Sequence, residues 1–483
     1  MEKDEKGFVK EIQDQEDDFS RWYIDVVRKA DLADYFTVKG CMIIKPYGYA
    51  LWEHIKEALD KRIKETGHQN AYFPLFCPES LLQKEAEHVE GFAPEVAWVT
   101  HGGKEKLEER LGIRPTSEAI ICSTYAKWIR SYRDLPVLIN QWANVVRWEK
   151  VTRLFLRTTE FLWQEGHTAH RTAEEAQEET LKMLDVYAEF SKNVLAMPVL
   201  KGIKSDSEKF AGAEKTYCIE ALMKDGKALQ AGTSHNLGQH FARVFNITFL
   251  DEDQKEKHVW QTSWGVSTRL IGGVIMTHGD ERGLRLPPAI APYQVVIIPI
   301  LVKKKREIVL ESVKELYEKL RNHFRVKLDD NDKYTPGWKF NEYELKGVPI
   351  RIEIGPRDLE NNQMTVVRRD SGEKLNLPLD NPVEGINNLL EDIQQSLYSQ
   401  ALEYRNKNTR KTVDMNEFEK IIEKNKGFVF SPWCGSSECE DKIKESTKAT
   451  IRCIPFDEQT EKEAPCIQCH KEGAQWVYFA RSY

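Results

Sequence analysis

The sequence predicts a mixed α/β (α+β) protein of three domains, and three observations carry that expectation. Residues 135–170 hold two extended runs joined by a short polar link, the pattern of an antiparallel hairpin. After the prolines Pro287, Pro288 and Pro292, strand-like runs such as YQVVIIPI alternate with helical stretches such as KKKREIVLESVKELYEKLRNHF, which suggests a small α/β domain. Five of the nine cysteines fall in the last fifty residues and mark a separate tail. A chain of 483 residues is too long for one core, and the expected units are 1–288, 289–402 and 403–483.

Taken in order, the charged start MEKDEKGFVKEIQDQEDDF has no apolar core and reads as neither a signal nor a transit peptide. No run of eighteen apolar residues follows, so no membrane span is expected. With a net charge of −7 there is no basic excess to announce nucleic acid, and the simplest expectation is a soluble cytoplasmic protein. From Gly48 to Gly67, Leu51, Ile55, Leu59 and Ile63 recur every four residues and predict an amphipathic helix. NAYFPLF follows as a short strand interrupted by Pro74. Ala173 to Ala196 predicts a long helix, then strands and turns as far as Thr277. Cys41, Cys77, Cys122 and Cys218 sit in apolar stretches and read as buried small side chains.

The chemistry gathers on the hairpin. Residues two apart on a strand share a face, so Arg147 and Glu149 in VVRWEK point towards one pocket. An arginine offers a planar fork for phosphate or carboxylate, and a glutamate accepts from an exocyclic amine. On the partner strand Trp163, Glu165 and His167 share a face, an unusual set to leave in solvent. RPTSE places Thr116 two before Glu118, and SWGVSTR would place Ser267 and Arg269 together if extended. QAGTSHNLGQ, with Gln230, Thr233, Ser234 and His235, reads as a flexible polar stretch.

Together RPTSE, FLWQEGHTAH, FAGA, AGTSHNLGQ and SWGVSTR resemble the prolyl-tRNA synthetase family of class II, in its archaeal and eukaryote-like form, over nearly the whole chain. The helix and strand ending at Pro74 resemble motif 1, the Arg147–Glu149 hairpin motif 2, and the segment ending in Arg269 motif 3. The resemblance implies an antiparallel-sheet catalytic domain, an α/β anticodon-binding domain and a zinc-binding α+β tail. It implies catalytic roles for Arg147 and Arg269, with Arg147 holding the α-phosphate and the proline carboxylate. ATP contacts would come from Arg147, Glu149, Arg157, Thr158, Gln230, Thr233, Ser267 and Arg269, with Mg2+ accompanying the nucleotide. Thr116 and Glu118 would accept the two N–H bonds of proline, and Trp163, Phe210 and His235 would enclose its ring. Glu165 and His167 would order that wall, and Phe92 would lie nearby.

The implied partners are L-proline, ATP, tRNA(Pro) and a second copy in a homodimer. The interval between motifs 2 and 3 leaves no room for an inserted editing domain. Lys339, Arg351, Arg368 and Arg369 are candidate readers of the anticodon guanines. In the tail, Cys434, Cys439, Cys466 and Cys469 have the paired spacing of a structural Zn2+ site, with Cys453 and His470 as substitute ligands. Tyr483 matches a terminal tyrosine that the family brings to its active site. Two other readings share this fold. A synthetase-like RNA-binding regulator that has lost catalysis would usually lack the motif 2 or 3 arginines, and here Arg147 and Arg269 are present. A threonyl or glycyl synthetase is disfavoured by RPTSE together with WQEGH.

Overall fold

A computed structural model describes residues 11–86, 95–424, 427–456 and 464–483 of the chain. Phe92 lies outside the described residues. The catalytic unit is organised by strands β1 (Gln69–Asn70), β2 (Val137–Val146), β3 (Glu160–His170), β4 (Val199–Ile203), β5 (Lys215–Leu222), β6 (Ala228–Gly238) and β7 (Trp260–Ser267). They lie side by side in the order β4-β5-β6-β7-β3-β2-β1, antiparallel throughout except for the parallel β1–β2 pair. The expected hairpin is β2–β3, in register from Val137 opposite Ala169 to Val146 opposite Glu160.

Among the helices that flank this sheet are α1 (Pro46–Glu65), α2 (Glu118–Trp128), α3 (Ala173–Asn193) and α4 (Arg269–His278). On α1 the four-residue stripe of Leu51, Ile55, Leu59 and Ile63 is fully buried, and Gly67 follows the helix at φ +91°. Helix α3 starts on a capping box from Thr172 to Glu175 and covers one face of the sheet. Small residues on β6 let it come close: the Ser234 hydroxyl donates to Thr180 O at 2.7 Å, and a Cβ on Gly232 would stand 3.4 Å from Tyr187.

Two expectations change here. NAYFPLF is not one strand. Pro74, which has no N–H to give a ladder, separates β1 from a strand at Phe76–Pro78 that belongs to a different, three-stranded sheet. The QAGTSHNLGQ stretch is not flexible: it is β6, paired on both sides in the middle of the sheet, and its glycine and serine serve close packing. The boundary at 402 falls inside a continuous helix, Pro382–Lys407, whose buried Ile386, Leu390, Ile393, Leu397 and Ala401 keep one helical face in register past the α/β domain.

The α/β domain has a five-stranded sheet in the order Val326–Leu328, Val295–Pro299, Ile350–Ile354, Gln363–Arg368, Lys374–Pro378. Its first three strands are parallel and the last two antiparallel. The tail does not form an isolated sheet. Its strand Thr450–Pro455 pairs with β4, Ile454 opposite Ile203, so tail and catalytic strands make one sheet of eleven. Cys77, Cys122 and Cys218 are buried as expected, whereas Cys41 is only half-buried.

Candidate active site

The register of the sheet lays the site out in two adjacent rows. Gln141, Glu165, Gly265 and Thr233 face one another across β2, β3, β7 and β6, and Ile139, His167, Ser263, His235 and Thr216 form the next row. Gly265 places no side chain between Glu165 and Thr233, which opens the floor. Between β5 and β6 the pairing shifts, so that Ile219 faces Gly232 and Glu220 faces Gln230, with Ala231 as the extra residue. Such a bulge reverses which face successive residues occupy. Gln230 and Thr233, three apart, therefore both face the cavity with His235.

The result is a cavity of about 270 Å³. It is walled by Thr116, Glu118, Arg147, Phe161, Trp163, Glu165, His167, Phe210, Gln230, Thr233, His235, Ser267 and Arg269, with Glu208 and Lys209 at one side. Arg147 also stands in the wall of a neighbouring recess formed with Glu95, Trp148, Glu149, Lys150, Val151 and Arg157. Of the site residues named from sequence, Glu149 and Arg157 belong to this second recess, 3.9 Å apart. Thr158 reaches neither cavity: it is buried and its hydroxyl donates to Glu160 O at 2.7 Å. Ser267 ends β7, while Arg269 is not on an extended strand but opens α4.

One end of the cavity is cationic. The Arg147 Nε donates to Pro115 O at 2.9 Å, and its guanidinium lies 5.5 and 5.7 Å from the rings of Phe161 and Trp163. The Arg269 Nε donates to Leu156 O at 3.1 Å. Burial, then repulsion from Arg157 and Arg147, pulls Arg269 down to about 10. Cations held together against their own repulsion make a place for a polyanion. The loop that carries Arg153 and Arg157 is pinned by Leu154, Phe155 and Leu156, all buried, and by the Tyr23 hydroxyl on Leu154 O at 2.8 Å. Gly272 on α4 leaves room for this docking, since a Cβ there would stand 2.4 Å from the tip of the Leu156 side chain.

The other end is ordered and acidic. Glu165 is fully engaged: Oε1 accepts from Ser117 Oγ at 2.5 Å and Gln141 Nε2 at 2.8 Å, and Oε2 lies 2.9 Å from His167 Nε2. Burial alone would lower His167, but the Glu165 carboxylate outweighs it and leaves the imidazole above its ordinary value. The Thr116 hydroxyl donates to Glu118, so Thr116 Oγ1 keeps lone pairs free to accept. Phe210 packs on His235 with ring centres 4.7 Å apart.

Sequence reasoning missed Gln141, Arg114 and Phe161. Gln141 is wholly buried and ties Glu165 to the backbone N–H of Phe73 through its Oε1 at 2.5 Å. Aligning the hairpin would have found it, since Gln141 lies opposite Glu165. Phe161 shares the two-residue period of Trp163, Glu165 and His167. Arg114, also buried, holds Phe73 O at 2.6 Å and Asn144 O at 2.8 Å.

Elsewhere, Tyr483 is not in the cavity wall. Its hydroxyl donates to Asp225 at 2.7 Å, and Arg153 lies 5.8 Å from its ring, behind the loop. The four candidate anticodon readers are all committed to internal partners. Lys339 pairs with Asp329 at 2.9 Å, Arg351 with Glu353 at 3.0 Å and Arg368 with Asp370 at 2.9 Å, and Arg369 makes a two-pronged contact with Asp280 at 2.6 and 2.8 Å. In the tail the four sulfurs of Cys434, Cys439, Cys466 and Cys469 all lie within 4.8 Å of one another. Cys453 is buried apart from them against Cys218, and His470 is not in the cluster.

Comparisons with known proteins agree with this arrangement. Residues 98–278 match the family described as tRNA synthetase class II core domain (G, H, P, S and T). Residues 294–389 match the anticodon binding domain, and residues 415–483 the prolyl-tRNA synthetase C-terminal domain. The chain is 60% identical over 485 residues to a proline–tRNA ligase of Natranaerobius thermophilus, covering all of both chains. It is 61% identical over 483 residues to one from Alkaliphilus oremlandii, again covering all of both. A crystal structure of prolyl-tRNA synthetase from Cryptosporidium parvum, complexed with halofuginone and AMPPNP, superposes with a TM-score of 0.93 at 42% identity, covering 99% of this chain and 100% of that one. The three matched regions in order, over a cavity with one cationic and one acidic end, place this chain in the prolyl-tRNA synthetase family of class II aminoacyl-tRNA synthetases.

Proposed function

We propose that the cavity around Arg147 joins L-proline to ATP, forming prolyl-adenylate and diphosphate, and then passes the prolyl group to a ribose hydroxyl of the terminal adenosine of tRNA(Pro), releasing AMP. The observation that carries this reading is the polarity of the cavity. Arg147 and Arg269 bring two buried cations to the cavity, and Thr116 and Glu118 face it as acceptors. Proline is a secondary amine with two N–H bonds when charged, and that pair of acceptors matches it. Trp163, Phe210 and His235 enclose the ring, while Glu165 and His167 stiffen the wall and face no reacting atom.

In the first step a carboxylate oxygen of proline attacks the α-phosphorus, a P–O bond forms, and the bond to diphosphate breaks. The nucleophile is already an anion, so no side chain takes a proton. Arg147 holds the carboxylate and α-phosphate together, and Arg269 the distal phosphates; catalysis is positioning and charge neutralisation. Glu149 reads the adenine amine in the adjoining recess beside Arg157. Thr158 supports the loop from within. The neutral oxygens of Gln230, Thr233 and Ser267 suit a Mg2+ that arrives on phosphates. When bound, that ion supplies further neutralisation of the phosphate charge. The direct test is charging: labelled proline should pass to tRNA bearing a proline anticodon, and failure to charge it with an active adenylation site would refute the transfer step.

Residues 1–288 act as the catalytic unit, 289–402 as the anticodon-binding unit and 403–483 as a zinc-binding tail. Zn–S bonds of about 2.3 Å in a tetrahedron place sulfurs roughly 3.8 Å apart. The separations of 3.6 Å for Cys434–Cys439 and 3.7 Å for Cys434–Cys469 fit that ion. Four thiolates leave no open position, so the metal is structural. One zinc per chain is expected in the purified protein. Cys466→Ala should lose it and unfold the tail at lower temperature; a metal-free wild-type protein that melts normally would contradict the assignment.

The chain works as a cytoplasmic homodimer. Exposed Tyr72, Phe76 and Trp128 flank the Pro74 segment and support a covered face there. Among the described residues no helix is long and apolar enough to cross a membrane. Only one long helix, a short helix and strands occupy the interval between β3 and β7. A pocket rejects a smaller side chain weakly, about 1–3 kcal/mol per missing methylene. Alanine and cysteine should therefore be activated detectably, with no hydrolysis of the mischarged tRNA by this chain. Rapid deacylation of alanyl-tRNA by the pure enzyme would contradict it.

A further inference from the structure

Thr216 of β5 lies opposite His235 of β6 and is 2% exposed. Its Oγ1 accepts the backbone N–H of Phe210 at 2.9 Å and lies 3.0 Å from Nδ1 of His235. A hydroxyl has one proton to give. Were Nδ1 protonated, it would donate to Oγ1 and leave the buried hydroxyl proton without either of these neighbours as acceptor, at a cost. The satisfied arrangement has the hydroxyl donating to Nδ1, so the imidazole hydrogen sits on Nε2. Burial, reinforced by His167, pushes His235 down to about 3, so the ring is neutral and one tautomer is defined.

We propose that Thr216 is the positioning residue of the proline-ring pocket: a single hydroxyl seats Phe210 and fixes His235 as the Nε2–H tautomer, with that N–H turned to the cavity. Phe210 belongs to the segment between β4 and β5, which also brings Glu208 and Lys209 to the cavity. The segment is anchored at its start by Ser205, whose hydroxyl donates to Glu440 of the tail at 2.7 Å. Nearer β5, the bond from Phe210 N–H to Thr216 draws it onto the sheet, and the Phe210 ring then stacks on the imidazole that the same hydroxyl orients. The inference rests on reading this end of the cavity as the proline site. Thr216 acts there through its two neighbours.

Thr216→Val keeps the shape and removes the hydroxyl, and Thr216→Ser keeps the hydroxyl. Stranding two buried groups is expected to raise the KM for proline about 10- to 100-fold in pyrophosphate exchange for Thr216→Val, with the KM for ATP nearly unchanged. Thr216→Ser should behave as wild type. Nitrogen-15 spectra of the full chain labelled in histidine should show His235 protonated on Nε2 in the wild type and in Thr216→Ser. An unchanged proline KM in folded Thr216→Val, or an Nδ1–H imidazole in the wild type, would overturn the proposal. If Thr216→Val does not fold, the two spectra decide it alone. If wild-type exchange does not depend on proline, the reading of the pocket fails, while the tautomer is still decided by the spectra.

Discussion

Replacing Arg147 with alanine is expected to lower proline-dependent pyrophosphate exchange by at least about a thousandfold, since loss of one preorganised charge at a reacting centre costs on that order. The position concentrates several demands. The guanidinium is desolvated, which lowers it from its ordinary value, and the carboxylates of Glu118, Glu165 and Glu149 offset that in part. It is held by Pro115 O and lies against the rings of Phe161 and Trp163, so its direction is set before any substrate arrives. Arg269 is itself anchored, to Leu156 O, and so is not free to take the place of Arg147. The fold should survive, since the side chain makes a single hydrogen bond worth about 1 kcal/mol. Circular dichroism and unfolding of the variant should match the wild type. Near-normal exchange by the variant would remove Arg147 from the mechanism.

The second large effect concerns stability. Glu220 of β5 is wholly buried between two cations, with Lys204 Nζ at 2.7 Å and the Arg452 guanidinium at 3.0–3.2 Å. Lys204 comes from the catalytic unit and Arg452 from the tail strand that pairs with β4, so this cluster fastens the two units together. Burial would lower Lys204, and the nearby Cys218 and Glu220 reverse that, leaving the ammonium above its ordinary value. Glu220→Gln keeps the shape and strands both cations, which should cost about 3–5 kcal/mol. Thermal unfolding should show the loss, and adding Arg452→Met should recover part of it by removing one stranded charge. A melting curve unchanged by Glu220→Gln would mean that the cluster holds nothing.

Local pattern revealed part of this molecule and long-range pairing supplied the rest. The helix α1 stripe and the β2–β3 hairpin follow from spacings of four and two residues within short windows, and both appear in the fold. Trp163, Glu165 and His167 share the cavity because strand periodicity alone puts them on one face. The bulge at Ala231 is different. It depends on how β6 meets β5, so nothing within QAGTSHNLGQ reveals that Gln230 and Thr233 share a face or that the stretch is a central strand. Gln141, Arg114 and Thr216 became visible only through their cross-strand partners. The joining of tail and catalytic strands into one sheet is set by a pairing between residues some 250 positions apart, beyond any local signal. Arg368 and Arg369 misled for a related reason: a cation in a sequence does not announce the carboxylate that will neutralise it.

Pyrophosphate exchange measured with the purified chain and each of the twenty amino acids in turn asks most directly what the cavity around Arg147 selects. Exchange should be strongest with proline, weak with alanine and cysteine, and absent with threonine and glycine. Exchange that is strongest with threonine or glycine, or that no amino acid supports, would contradict the assignment of the Thr116–Glu118 end to proline.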